Sequence, residues 1–118
     1  MTKLLEFAHL EDDWESYHAK PISFKLIKQA IDLYSAIYEK FHLLPFDIAP
    51  FSGGIQLEYR ENSNALEIEV RGTNKYAYLF IQGEKDNDLK DDRTFSEEDN
   101  VNQIRIFELL DKVLSPQR

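Results

Sequence analysis

An α+β fold is predicted for these 118 residues: a three-stranded antiparallel meander with a long helix over Phe24–Phe41 and a C-terminal helix over Val101–Leu114 packed on one face. Three observations predict it. GGIQLEY at 53–59 and LEIEV at 66–70 alternate with period two, which puts Ile55, Leu57, Tyr59, Leu66, Ile68 and Val70 on one side. Gln56, Glu58, Arg60, Glu67, Glu69 and Arg71 then fall on the other. Two further segments repeat apolar residues at spacings of three and four, the signature of one-faced helices. Short turn-forming stretches join the strands, and no repeat or linker divides the chain, so residues 1–118 read as one domain.

Taken in order, residues 4–10 are compatible with a short helix or strand, and Glu11, Asp12 and Asp13 form a polar break before Trp14. Proline at 21 biases Lys20 away from helix, and Ser23 is placed to cap the first long helix. Within that helix Phe24, Ile27, Ile31, Tyr34, Tyr38 and Phe41 make the leading stripe, with Leu26, Ala30, Leu33 and Ile37 as a second flank. PFDIAPFSGG at 45–54 reads as a connection, extended at its prolines and permissive of positive φ at its paired glycines. ENSN at 61–64 and RGTNK at 71–75 supply turns, and YAYLFIQ at 76–82 is the third strand. That strand is apolar on both sides, so it is either covered twice or presents an aromatic edge to a partner. Residues 83–95 are polar and aperiodic, a loop. Ser96 followed by Glu97, Glu98 and Asp99 reads as a helix start, ahead of Val101, Ile104, Phe107, Leu110 and Leu114 with Ile106 and Val113 beside them.

Composition narrows the function classes. The absence of cysteine removes disulfides, thiolate metal sites and thiol nucleophiles. The N-terminal stretch fits neither a secretory signal nor a membrane span, so a soluble, cytoplasmic protein is expected. The net charge is −8, and the excess is local: residues 1–18 carry one base and five acids, and residues 84–99 three bases and eight acids. Direct nucleic-acid binding is disfavoured by that balance, because affinity for phosphate backbones rests on lysine and arginine displacing counterions. A basic partner suits it better, although acidic runs also serve simply as solvated surface.

Residues with chemical potential are dispersed. His9, His18 and His42 have no partner at the spacing that sets two ligands on one helix face. Asp86, Asp88 and Glu97 fall at positions one, three and twelve of a calcium-loop register, but Lys90 takes an oxygen-ligand place and Asp91 the glycine place, so no metal is expected. No serine sits in a nucleophile elbow, and Gly53-Gly54 belongs to no phosphate-binding motif. Glu58, Glu67 and Glu69 with Arg60 and Arg71 are able to pair carboxylates for acid–base work, yet cross-strand charge pairing accounts for the same residues. No catalytic residue and no cofactor is assigned. Trp14 and Tyr17, close to Pro21, read either as a plug closing one end of the core or as an aromatic anchor for another protein.

WESYHAKPIS at 14–23, PFDIAPFSGGIQLEY at 45–59 and LEIEV at 66–70 together resemble a family of small uncharacterised bacterial proteins, common in cyanobacteria. The resemblance covers about residues 14–70; Tyr59 stands where the family pattern has tryptophan, and Ser52 where it has aspartate. It implies a fold and a bacterial origin and assigns no reaction.

The leading expectation is a non-catalytic protein-interaction module, a small acidic antitoxin, immunity or accessory protein that binds a basic partner, with a homodimer left open. Its candidate contacts are Asp86, Asp88, Asp91, Asp92, Trp14, Tyr17, Tyr76 and Tyr78. Two alternatives accompany it: an inhibitor of a defence system that mimics nucleic acid through its acidic surface, and a small enzyme or ligand-binding domain using Glu58, Glu67 and Arg71 on the outward sheet face.

Overall fold

Among the described residues, five antiparallel strands lie side by side in chain order, and two helices pack on one face of the sheet they form. The computed structural model describes residues 23–51, 53–61, 63–72, 75–83 and 93–114. Its elements are α1 (Phe24–Phe41), β1 (Asp47–Phe51), β2 (Gly54–Glu61), β3 (Asn64–Val70), β4 (Tyr76–Gln82), β5 (Thr94–Val101) and α2 (Gln103–Leu114). The α+β class stands, but the sheet has five strands where three are expected.

The register explains the one-sided core. Ile55, Leu57 and Tyr59 face Val70, Ile68 and Leu66 across β2 and β3, and Leu66, Ile68 and Val70 face Phe80, Tyr78 and Tyr76 across β3 and β4. All nine side chains are buried, and with Ile48 of β1 they join the buried residues of both helices in one core. The alternation read from the sequence is therefore the alternation of burial.

Both added strands sit at sheet edges, and each is concealed in the sequence for a physical reason. β1 contains Pro50, which has no N–H to give a ladder, and an edge is where a sheet tolerates that loss. The tight connection to β2 uses Gly53 at φ 78, and a Cβ on Gly54 would stand 2.1 Å from the Phe51 ring. β5 corrects the reading of Ser96–Asp99 as a helix start. Those acids belong to an edge strand whose residues Thr94–Asn100 are all exposed, so no apolar alternation marks it. α2 begins later, at Gln103, where the Asn102 side chain accepts a hydrogen bond from the Arg105 N–H at 3.0 Å. Near the end of β5, Asn100 at φ 61 falls in the bulge where the β4–β5 register shifts.

α1 keeps its expected bounds and cap: Ser23 accepts a hydrogen bond from the Leu26 N–H at 3.2 Å, and His42 ends the helix in the left-handed region with its N–H on the Tyr38 carbonyl. Its buried stripe is the second flank, Leu26, Ala30, Leu33 and Ile37, with Ile27. The leading stripe lies at the margin, where Phe24 is 75% and Tyr38 47% exposed. The helix is thus rotated relative to expectation, because Ala30 lets the backbone approach the sheet where a larger residue would hold it off. Phe41 meets Phe107 of α2 edge to face at 5.4 Å, tying the helices together.

One polar atom in this interior is out of place. Tyr59 is fully buried, and its hydroxyl has no hydrogen-bond partner among the described residues. Burial, reinforced by the neighbouring Tyr34 phenol, pushes its ionisation far above the usual tyrosine value. Tyr59→Phe removes an uncompensated group, so urea denaturation is expected to show a gain of about 1 kcal/mol. A loss would show the hydroxyl to be engaged. The folded chain holds this proton where the unfolded chain releases it. Its contribution is therefore complete below the ordinary tyrosine pKa and fades as pH rises above about 10, and the phenylalanine variant loses that alkaline sensitivity.

Candidate functional site: an acidic groove on the open sheet face

Among the described residues both helices pack on one face of the sheet and no element packs on the other, where Glu58 is nonetheless only 9% exposed. Because the strands alternate, that face carries Gln56, Glu58 and Arg60 from β2, Glu67 and Glu69 from β3, Ala77, Leu79 and Ile81 from β4, and Phe95 and Glu97 from β5. Its β3–β5 half is hollowed into an open groove of about 520 Å³, lined by Glu67, Glu69, Arg71, Ala77, Tyr78, Leu79, Glu97, Glu98 and Asp99. Glu67, Glu69 and Glu97 set their carboxylates on this face against the Arg71 guanidinium, which makes it acidic, whereas Glu98, opposite Tyr78, turns its carboxylate to the helix side.

Those carboxylates are not equivalent. Glu69 pairs with Arg71. Glu98 is held by Arg105 of α2 at 3.1 Å and accepts a hydrogen bond from the Tyr78 hydroxyl, and the Tyr78 and Arg105 bonds keep its carboxyl below the usual range. Asp99 accepts from the Asn100 N–H at 2.9 Å. Glu67 and Glu97 have no ion pair or hydrogen bond among the described residues. Both stand opposite Leu79, one on each side, so the row across three strands reads carboxylate, leucine, carboxylate. Strands about 4.8 Å apart put the two backbones roughly 10 Å from one another. On its other side Glu67 faces Glu58, a like-charge pair. Its carboxyl is accordingly held above the usual range, first by partial burial and then by Glu58 and Glu69, with Arg60 opposing them.

The residues expected from the sequence to form a site distribute unevenly. Glu67 and Arg71 line the groove; Glu58 does not, and it pairs instead with Arg60, whose guanidinium lies 4.2 Å from the Phe46 ring. Tyr76 and Tyr78, read as a partner-facing edge, are corrected: they are 7% and 3% exposed on the helix-covered face, and β4 is flanked by β3 and β5, so it offers no edge. Trp14, Tyr17, Asp86, Asp88, Asp91 and Asp92 lie outside the described residues. Leu79 and Glu97 were not expected as a pair, since the groove has a far wall only if 94–101 is a strand. Asn102 carries the signal that would have revealed it, because a good N-cap at 102 releases residues 96–99 from the helix.

Among the described residues no group of His, Cys, Asp or Glu is placed to hold a metal ion, and no helix is long and apolar enough to cross a membrane. No family model, curated protein or solved structure matches the chain.

Proposed function

We propose that the protein is a non-catalytic protein-binding module of the small acidic antitoxin, immunity or accessory type, and that the groove on its open sheet face receives a partner with a basic surface. The observation that carries this reading is the row Glu67–Leu79–Glu97, in which two carboxylates with no ion pair or hydrogen bond among the described residues flank an apolar side chain. A lysine or arginine suits that arrangement: the aliphatic stem lies over Leu79 while the cationic head sits between acids, burying carbon and neutralising charge together. The net charge of −8 adds long-range attraction for such a partner. Asp86, Asp88, Asp91 and Asp92 lie between β4 and β5 in sequence and are part of that net charge.

The test compares the protein with a Glu67→Lys, Glu69→Lys, Glu97→Lys variant for binding to a synthetic arginine-bearing peptide, by isothermal titration across a salt series. Binding is expected to weaken steadily with salt, and the variant to lose at least about tenfold in affinity, equivalent to about 1.4 kcal/mol. Binding that is indifferent to salt, or equal in the variant, overturns the reading.

A further inference from the structure

The groove has a second resource beside its charge, the backbone of β5. That strand pairs with β4 along one side, and no strand pairs its other side among the described residues. A free strand edge presents a row of unpaired N–H and C=O groups, a template for one more strand. The opposite edge of the sheet is blunted by Pro50 in β1.

A second copy of this chain is a poor occupant. Pairing β5 with itself sets Glu97, Glu98 and Asp99 near the same acids, between two bodies that each carry −8. The same acids favour a basic strand. On the groove side, Phe95 and Glu97 stand two residues apart, opposite Ile81 and Leu79. Phe95 is 55% exposed, and the Arg93 guanidinium lies 5.3 Å from its ring, so the ring's face already accepts a cation and its edge offers apolar contact. The bulge at Asn100 ends the regular register after Glu98, which limits a new ladder to Thr94–Glu98.

We infer that β5 is a docking edge for an extended segment of a partner protein, added as a sixth strand that sets an apolar residue beside Phe95 and an arginine or lysine beside Glu97. This rests on the proposed function and specifies how the basic partner is held. The main chain supplies register, and the basic side chain pairs with Glu97 at the outer wall of the groove.

Two synthetic peptides of about eight residues test it. In the first, valine and arginine alternate on one strand face and serine fills the other; the second keeps the charge but replaces alternate serines with proline, which cannot donate to a ladder. Amide hydrogen exchange of the isotope-labelled protein is followed with each. The first peptide is expected to slow exchange at outward-pointing amides within Thr94–Glu98 and to bind at least about tenfold more tightly than the second. Equal binding of the two with no protection along β5 overturns edge docking and leaves the basic-partner reading standing. Failure of both peptides to bind overturns the two together. Slowed exchange at β5 in the protein alone, with a dimer by sedimentation, overturns the inference in favour of self-pairing.

Discussion

Ile68→Ala is expected to cost about 2–5 kcal/mol of folding free energy, while Glu67→Gln, one residue earlier on the same strand, is expected to cost none and to add stability near neutral pH. The contrast follows from both described helices packing on the same sheet face. Ile68 is fully buried at the centre of β3, between Leu57 and Tyr78 and beneath the helices, so truncation leaves a cavity that neighbours on three strands cannot close. Against a total stability of about 5–15 kcal/mol for a small domain, that loss takes the chain toward unfolding at physiological temperature. Glu67 points the other way, beside Glu58, and its raised pKa means that folding opposes its ionisation. The folded state therefore binds this proton more tightly than the unfolded state. The stability associated with it is complete below the ordinary carboxylate pKa and is lost as pH rises through the folded-state value. Glutamine, which never ionises, retains what the glutamate gives up, so its advantage is present near pH 7 and shrinks as pH falls toward about 4. Urea denaturation of the two variants at both pH values checks this. Comparable losses at both positions would mean that both faces of β3 are covered.

The central part of the fold was legible because burial writes itself into residue alternation. Ile55, Leu57 and Tyr59, then Leu66, Ile68 and Val70, face the helices as their spacing requires, and Ser23 caps α1 as expected. What the sequence concealed lies at the edges. Thr94–Asn100 is exposed on both sides, so nothing selects apolar residues at alternate positions, and the acids of 97–99 imitate the first turn of a helix. In α1 the aromatic stripe from Phe24 to Phe41 was more conspicuous than Leu26, Ala30, Leu33 and Ile37. Small residues nevertheless decide which helix face approaches a sheet most closely, and the larger aromatics are left at the rim. The groove was half legible for the same reason. Glu67, Glu69 and Arg71 belong to strands marked by alternation, whereas Glu97 belongs to the strand without it.

Asn64→Ala is expected to lower stability by about 1–3 kcal/mol, a large effect for a polar residue at a hairpin turn. Asn64 opens β3 opposite Glu61 and is 2% exposed, and its amide Nδ2 donates to the carbonyls of Lys112 and Val113 at 3.2 and 3.3 Å. The last carbonyls of a helix have no partner within it, and here the Asn64 amide satisfies the Val113 carbonyl in a buried bond and the Lys112 carbonyl in a half-buried one. The strand thus closes the helix, and α2 holds Ile106, Leu109, Leu110 and Val113 against the sheet partly through that contact. Alanine removes both hydrogen bonds and leaves the buried Val113 carbonyl without that donor. Leucine restores volume without donors, so it is expected to recover little of the loss. Aspartate should be worse than either near neutral pH, because it turns a carboxylate toward two carbonyl oxygens. Urea denaturation ranks the three variants, and amide exchange in the last turn of α2 should accelerate in each before global unfolding. Recovery of full stability by leucine would show that packing, and not the pair of hydrogen bonds, is what Asn64 contributes.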